Sequence, residues 1–450
     1  MTDLTIVGGG LAGCEAAWQA AERGVDVCLY EMRPGKMTPA HQTPWLAEII
    51  CSNSFGSTIF NKSSGLLIAE LELLNSLLLR CARECRVPAG HALAVDRTAF
   101  SQSVQNRLEH HPRIKIMREE VMRIPAGACI LASGPLTSPA LSESIQAFTG
   151  HDNLFFYDAV APIVECDSID MGIAFWGSRY RKGSKAEGDY INCPFNDHRQ
   201  YDTFVNELMV ANRIPLKDFE SPIDEGVKTG KGRFFEACLP IEVMAARGHN
   251  TMTFGPLRPV GLRNPHTGER PYAVVQLRQD DLAAQYFNIV GFQTNLTYPE
   301  QERVFRLIPG LEKARFTRFG QMHRNTFVYA PEILHPTLQS QNTPGLFMAG
   351  QIIGVEGYLA NIATGLLAGM NAARWMNGKD LLRLPETSML GALCHYISNP
   401  NPENFQPKKA NFALLPPLDE KIKEKPDRYQ AYTERALAEL KGYLITNDEK

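Results

Sequence analysis

The sequence predicts an α/β protein: a Rossmann-type dinucleotide-binding domain, divided by a large inserted α+β domain and followed by a helical C-terminal tail. Three observations predict it. Thr5-Ile-Val-Gly8-Gly9-Gly10-Leu11-Ala12-Gly13 sets G-x-G-x-x-G between an apolar strand and a helix. A second strand, glycine turn and small-residue helix recurs near residues 345–375. Between the two lies a long stretch of short strand-like runs and basic, glycine-containing loops.

In chain order, Leu4 to Val7 is short and apolar, and Leu11 to Arg23 carries alanines and a tryptophan at helical spacing, ending at Gly24. Val25 to Tyr30 is apolar again and closes on Glu31. Residues 32–64 are rich in Pro, Ser, Thr and Asn and predict a long functional loop over the cofactor. Ser64 to Arg86 has a strong helical pattern, and Ala128 to Ser133 predicts a buried strand closed by Gly134-Pro135. Residues 1–137 are therefore assigned to the first part of the dinucleotide domain and 138–319 to the insertion. Residues 320–380 are the second part, with the strand before Gly350 and a helix from Tyr358 to Trp375, and 381–450 the helical tail. No internal repeat is visible.

The chain has 450 residues, 44% hydrophobic and 21% charged, with a formal net charge of −3. That balance gives no global sign of nucleic-acid binding, so an RNA surface would have to be a local basic patch. The ten cysteines form no C-x-x-C pair and do not alternate with histidine, which points to neither a zinc site nor a disulfide framework. A strand starts almost at Met1, leaving no room for a signal peptide, and no run of about 18 apolar residues exists to span a membrane. The expected location is the cytoplasm.

In the first glycine loop, Gly8 permits the tight turn, Gly10 lets backbone approach a pyrophosphate, and Gly13 lets the helix lie close to the sheet. Glu31, 18 residues after Gly13, stands where a carboxylate bonds ribose hydroxyls. The loop alone does not separate FAD from NAD or S-adenosylmethionine. The second element, Leu346-Phe-Met-Ala-Gly350-Gln351-Ile-Ile-Gly354-Val-Glu-Gly357-Tyr358, favours FAD, whose length calls for two strand–helix units. The dinucleotide domain is thus an FAD-binding domain of the glutathione-reductase type.

Several longer motifs carry a resemblance. They are Leu29-Tyr-Glu-Met-Arg-Pro34, Cys51-Ser-Asn-Ser54, Val87-Pro-Ala-Gly-His-Ala-Leu-Ala-Val-Asp-Arg97, Phe235-Glu-Ala-Cys238-Leu-Pro-Ile-Glu-Val-Met244, Phe254-Gly-Pro-Leu-Arg-Pro-Val-Gly-Leu262, Tyr272-Ala-Val-Val-Gln-Leu-Arg-Gln279, Gly320-Gln-Met-His-Arg-Asn-Thr-Phe327 and Ala349 to Tyr358. In order and spacing the chain, to about Trp375, resembles the folate- and FAD-dependent tRNA uracil-5-methyltransferases, which methylate the T-loop uridine at tRNA position 54. Two departures stand out: Phe55-Gly56 where the family pattern has Leu-Arg, and His91 where it has Gly.

The resemblance implies FAD as cofactor, 5,10-methylenetetrahydrofolate and NAD(P)H as co-substrates, the tRNA T-arm as partner, and no metal or membrane. Uracil C5 is barely nucleophilic, so a thiolate adding at C6 is expected to activate it. The folate carbon arrives at the formaldehyde level, and reduced flavin supplies the hydride. By resemblance Cys238 is the nucleophile, and Cys51 its partner near the flavin, holding the activated methylene carrier or removing the C5 proton. Glu236 and Glu242 flank Cys238 and would raise its pKa unless Lys231 or Arg233 offsets them. Tyr358 is expected either to stack on the isoalloxazine or to pack as a core aromatic. The expected tRNA-binding runs are Arg179-Tyr-Arg181-Lys182 and Lys228-Thr-Gly-Lys231-Gly-Arg233, where cations and a tyrosine could meet phosphates and an unpaired base; solvated charged loops are the plainer meaning.

Alternatives are the related flavin- and folate-dependent enzyme of the tRNA wobble uridine, for which a longer chain is expected, a plain NAD(P)H-dependent flavin oxidoreductase, and a non-catalytic flavin-containing RNA-binding module. Disulfide reductases of the oxidoreductase class carry C-x-x-C or C-x-x-x-x-C, which is absent.

Overall fold

The computed structural model describes residues 3–150, 154–181, 188–214, 239–399 and 405–447. Five parallel strands form one sheet in the order Leu346–Met348, Cys129–Leu131, Leu4–Val7, Val27–Tyr30, Ile114–Met117. The central strand is apolar because both faces are covered, and Leu4 and Ile6 are wholly buried. A strand from the 340s thus completes the sheet begun at the N-terminus. Helix Leu11–Glu22 covers it and packs against helix Tyr358–Met376. The two backbones nearly touch: a Cβ on Gly365 would lie 2.2 Å from the Ala12 carbonyl oxygen, and one on Gly369 2.4 Å from that of Ala16.

Two expectations are corrected. The helical pattern over Ser64–Arg86 is two helices, Ser63–Leu73 and Leu77–Glu84. Asn75 takes a left-handed backbone (φ 55°), and the Ser76 hydroxyl caps the second helix by accepting from the Leu79 N–H. The buried Glu15 carboxylate accepts from the Leu77 and Leu78 N–H groups at 3.1 and 2.9 Å, fixing the break from another helix. The loop over residues 32–64 also contains a strand, Ser54–Ser57, which pairs with Ala92–Val95 in a small three-stranded sheet.

Residues 163–318 build a second sheet, with strand order Phe175–Gly177, Tyr190–Phe195, Ala273–Gln279, Tyr286–Ile289, Ile163–Glu165, Phe316–Arg318, every pairing antiparallel. All seven residues of Ala273–Gln279 are buried. Helices His198–Val210, Ile241–Ala246 and Tyr298–Phe305 close a separate core around Phe195, Phe204, Phe287 and Phe292. The chain leaves the first sheet and returns to it through an antiparallel ribbon, Leu154–Ala159 with Met322–Phe327.

The C-terminal segment is built into the first core. Ala436, Leu440 and Leu444 of helix Lys425–Thr446 are buried there, and Lys408–Lys409 pairs with Val355–Glu356. Glu70, wholly buried, accepts from the Met389 and Leu390 N–H groups at 2.6 and 2.9 Å and so caps helix Met389–Ile397. Burial pushes its carboxyl up to about 7, against the two N–H bonds that pull it down. Because the folded state holds this proton more tightly than the unfolded chain, Glu70 makes stability fall as pH rises from about 4.5 to about 7, by up to roughly 3 kcal/mol. Wild type is therefore expected to lose more thermal stability than Glu70→Gln between pH 5.5 and pH 8; equal losses would contradict this assignment.

Candidate functional site

At the C-terminal ends of the parallel strands lies an open cleft of about 1140 Å³. Gly8, Gly9, Gly10, Leu11, Ala12 and Glu31 line it together with Gly350, Gln351, Tyr358 and Asn361, and Gly350 stands directly beside Ala12. Two glycine elements some 340 residues apart therefore face one space. Gly13 is set back from it; a Cβ there would lie 1.8 Å from the Gly8 carbonyl oxygen, so its smallness serves the packing of helix on sheet.

Gly10 differs. It is the N-cap of helix Leu11–Glu22, with extended backbone (φ −80°, ψ −168°) and no side-chain cap, and a Cβ on it would meet nothing within 4 Å. The chain's own packing places no demand for glycine at this position. A phosphate group seated against the free N–H groups of the helix end would.

Glu31 ends the second strand. Its Oε2 accepts from the Gly9 N–H at 3.1 Å and its Oε1 from Arg33 Nε at 2.9 Å. Arg33, 1% exposed, also reaches Glu48 at 2.8 Å. Burial alone would raise the Glu31 carboxyl, but hydrogen bonds from Arg33 and its charge hold it below the ordinary value, so it is ionised. Beside it, burial and Arg33 lower His41 to about 3, leaving a neutral imidazole bonded to the Thr38 hydroxyl at 2.6 Å. A carboxylate fixed at the glycine loop by Arg33, with a neutral imidazole beside it, suits the ribose side of a dinucleotide. Arg33 and Glu48 were missed as site residues, although Arg33 stands in the Leu29–Pro34 motif.

Elsewhere on the same cleft the Cys51 N–H donates to the Tyr358 hydroxyl at 3.0 Å. Tyr358 opens helix Tyr358–Met376, and its ring lies tilted on Phe55, 5.5 Å between centroids. Cys51, Gln351, Tyr358 and Asn361 also line a second, larger cleft of about 1750 Å³, with Lys62, Gly357, Lys409 and Phe412 on its other walls. The Cys51–Tyr358 pair thus lines two spaces, the one bordered by both glycine elements and the larger one beside it. The segment carrying Cys51 is clamped to the inserted sheet: Asn53, fully buried, donates to the Val95 and Gln279 carbonyls and accepts from Arg278 Nε at 2.7 Å. Arg278 Nη2 holds the Ser52 hydroxyl at 2.6 Å, and Arg97 Nη2 the Cys51 carbonyl at 2.9 Å. Both guanidinium groups are thus fixed beside the segment that carries Cys51.

FAD fits this cleft on one further observation. Asn325, on the ribbon strand Met322–Phe327, is 1% exposed and lines the cleft, and neither its side-chain amide nitrogen nor its side-chain oxygen has a hydrogen-bond partner among the described residues. A buried amide with both functions unmet calls for a ligand edge that both donates and accepts, which an isoalloxazine provides.

Of the basic residues expected to meet tRNA, Arg179 has a described side chain. Arg179, in the turn Arg179–Arg181, donates to the Pro256 and Arg258 carbonyls and lines none of these clefts. Lys182, Lys228, Lys231, Arg233 and Cys238 lie outside the described residues, as does the side chain of Arg181. Glu242, expected to weigh on Cys238, spends its carboxylate on the Thr294 hydroxyl and the Asn295 N–H at 2.9 and 2.7 Å. Lys62 and Lys409, on the rim of the larger cleft, carried no motif that sequence reasoning could use. Among the described residues no cluster of His, Cys, Asp and Glu could hold a metal ion, and no helix is long and apolar enough to cross a membrane.

Residues 3–380 match the family model described as glucose inhibited division protein A. The chain is similar to the methylenetetrahydrofolate–tRNA-(uracil-5-)-methyltransferase TrmFO of Pelotomaculum thermopropionicum, 52% identical over 444 residues and 98% of each chain. It is 53% identical to the protein of that name from Trichormus variabilis, again over 98% of each. Among solved structures it is similar to Aquifex aeolicus GidA, with a TM-score of 0.71 and 16% identity over the whole of this chain and 74% of that one. That likeness bears on the fold.

Proposed function

Since the chain belongs to the methylenetetrahydrofolate–tRNA-(uracil-5-)-methyltransferase family, within the glucose inhibited division protein A group, we propose that it methylates C5 of uridine 54 in the T-loop of tRNA, with 5,10-methylenetetrahydrofolate as carbon donor. The observation that carries this reading is the Cys51–Tyr358 pair, which lines both the cleft bordered by the two glycine elements and a second cleft large enough for further reactants.

FAD, once reduced at the expense of NAD(P)H, supplies the hydride that turns the methylene carbon into a methyl group. The chain's own residues do the rest. Gly8, Gly9, Gly10, Leu11 and Ala12 cradle the pyrophosphate, Gly13 keeps the helix close to the sheet, and Glu31 takes ribose hydroxyls. Gly350, Gln351 and Tyr358 border the flavin. The Cys238 thiolate adds to C6 of the uracil, making C5 the nucleophile. Cys51, under Arg97 and Arg278, acts on the flavin side, at the methylene carrier or at the C5 proton. Basic residues around Arg179–Lys182 and Lys228–Arg233 hold RNA phosphates. We divide the chain into an FAD-binding domain (1–137 and 320–380), an inserted tRNA-binding domain (138–319) and a C-terminal segment (381–450), and place the protein in the cytoplasm. The wobble-uridine and plain oxidoreductase readings gain nothing from curated relatives at about half identity over nearly the full length.

The test is to incubate the protein with unmodified tRNA, methylenetetrahydrofolate and NAD(P)H, and map the product. The expected result is 5-methyluridine at position 54 alone; modification confined to the anticodon wobble position would overturn the assignment.

A further inference from the structure

The inserted domain carries an aromatic column that is open at one end. Tyr298 stacks on Phe319 (4.9 Å between centroids, 17° between planes), and Phe319 on Phe316 (5.6 Å, 16°). Phe316 leads inward to Phe305 and Phe292, both wholly buried. The column is anchored in the core and stops at Tyr298, which is 45% exposed.

Arg318 lies beside it, on strand Phe316–Arg318, and its guanidinium has no hydrogen bond or ion pair among the described residues. The nearby carboxylates are taken, Asp280 by Arg97 at 2.9 Å and Glu48 by Arg33 at 2.8 Å. Burial and the adjacent Arg97 pull the Arg318 guanidinium below its ordinary value, outweighing the attraction of Asp280 and Glu48. Arg318 lines two clefts. One, of about 610 Å³, also holds Tyr298, Phe319 and His323; the other, of about 930 Å³, holds Trp45 and Tyr286. His323 is shared between the first of these and the cofactor cleft, so this surface runs into the reaction site.

We propose that Tyr298 and Arg318 bind an unstacked nucleotide flanking the target uridine, its base laid on Tyr298 and its phosphate on Arg318. An aromatic column open at one end is lengthened naturally by a nucleobase, whatever its sequence. A planar guanidinium with no hydrogen bond among the described residues matches a phosphate with two parallel hydrogen bonds. A carboxylate ligand alone would explain the arginine but not the column. This inference rests on the tRNA reading above.

The test uses the full-length holoenzyme and its Tyr298→Leu, Tyr298→Phe and Arg318→Gln variants. None of these positions lines the cofactor cleft, so flavin content should stay at the wild-type level. Tyr298→Leu and Arg318→Gln should each raise KM for tRNA roughly tenfold, with kcat and KM for methylenetetrahydrofolate unchanged, while Tyr298→Phe behaves as wild type. Arg318→Gln should also flatten the slope of log affinity against log salt by about 0.7. A T-arm RNA with 2-aminopurine next to the target uridine should be quenched by wild type and not by Tyr298→Leu. Unchanged KM for tRNA in both variants, or a rise in KM for the folate in its place, would overturn the inference. RNA binding and quenching need no turnover, so failure of the methyl-transfer reading would appear separately, as quenched RNA that gains no methyl group.

Discussion

A Gly10→Leu protein is expected to fold as wild type does and to purify colourless. At Gly8 and Gly13 an added Cβ would strike backbone at 2.4 and 1.8 Å, so substitution there damages the fold before it touches a ligand. At Gly10 the backbone is one that any residue adopts and the space around a Cβ is open, so the apo stability should change by no more than about 0.5 kcal/mol. That space is the mouth of the helix end, where a pyrophosphate would lie, and a leucine fills it. Flavin absorbance per polypeptide should fall nearly to zero while the circular dichroism spectrum and unfolding midpoint hold. A variant with full flavin content would mean that the pyrophosphate sits elsewhere.

The second large effect concerns the two cysteines. If Cys238 attacks C6, tRNA carrying 5-fluorouridine at the target position should be trapped covalently through it, because fluorine cannot leave C5 as a proton does. Cys238→Ala should abolish the adduct and lower methylation by a factor on the order of 10³ or more, with FAD still bound. Cys51→Ala should lose methylation comparably, through failure on the flavin side. Its geometry should survive, since Tyr358 is held by the Cys51 backbone N–H and not by the thiol. Peptide mapping decides the roles. An adduct on Cys51, together with a Cys238→Ala protein that still methylates tRNA, would reverse them.

The parts of the fold legible in the sequence are those fixed by local chemistry. Leu4–Val7 is an apolar run bounded by a glycine turn, and the helix after it starts where Gly10 ends the loop. Helix Tyr358–Met376 could be read from its small residues, which the close approach to Ala12 and Ala16 requires. The break at Asn75-Ser76 was not legible. Apolar periodicity runs straight through it, and the group that stabilises the second helix start is Glu15, some sixty residues earlier. The candidate site shows the same division. Gly10 and Glu31 announce themselves by spacing, whereas the pairing of Cys51 with Tyr358 joins residues 307 apart and exists only once both sheets are assembled. Asn53 stood in a recognised motif, but its work as a clamp depends on Arg278, in a strand of the inserted sheet. Asn325 and Arg318 draw their interest from side chains with no hydrogen bond among the described residues, a property that no sequence pattern encodes.

The central claim is that the methyl carbon comes from folate and passes to tRNA at a flavin site. The direct measurement supplies the protein with unmodified tRNA, NAD(P)H, methylenetetrahydrofolate labelled in its methylene carbon and unlabelled S-adenosylmethionine, then repeats the assay with the label exchanged between the two donors. The account predicts label in 5-methyluridine from the folate alone; label arriving only from S-adenosylmethionine would contradict it.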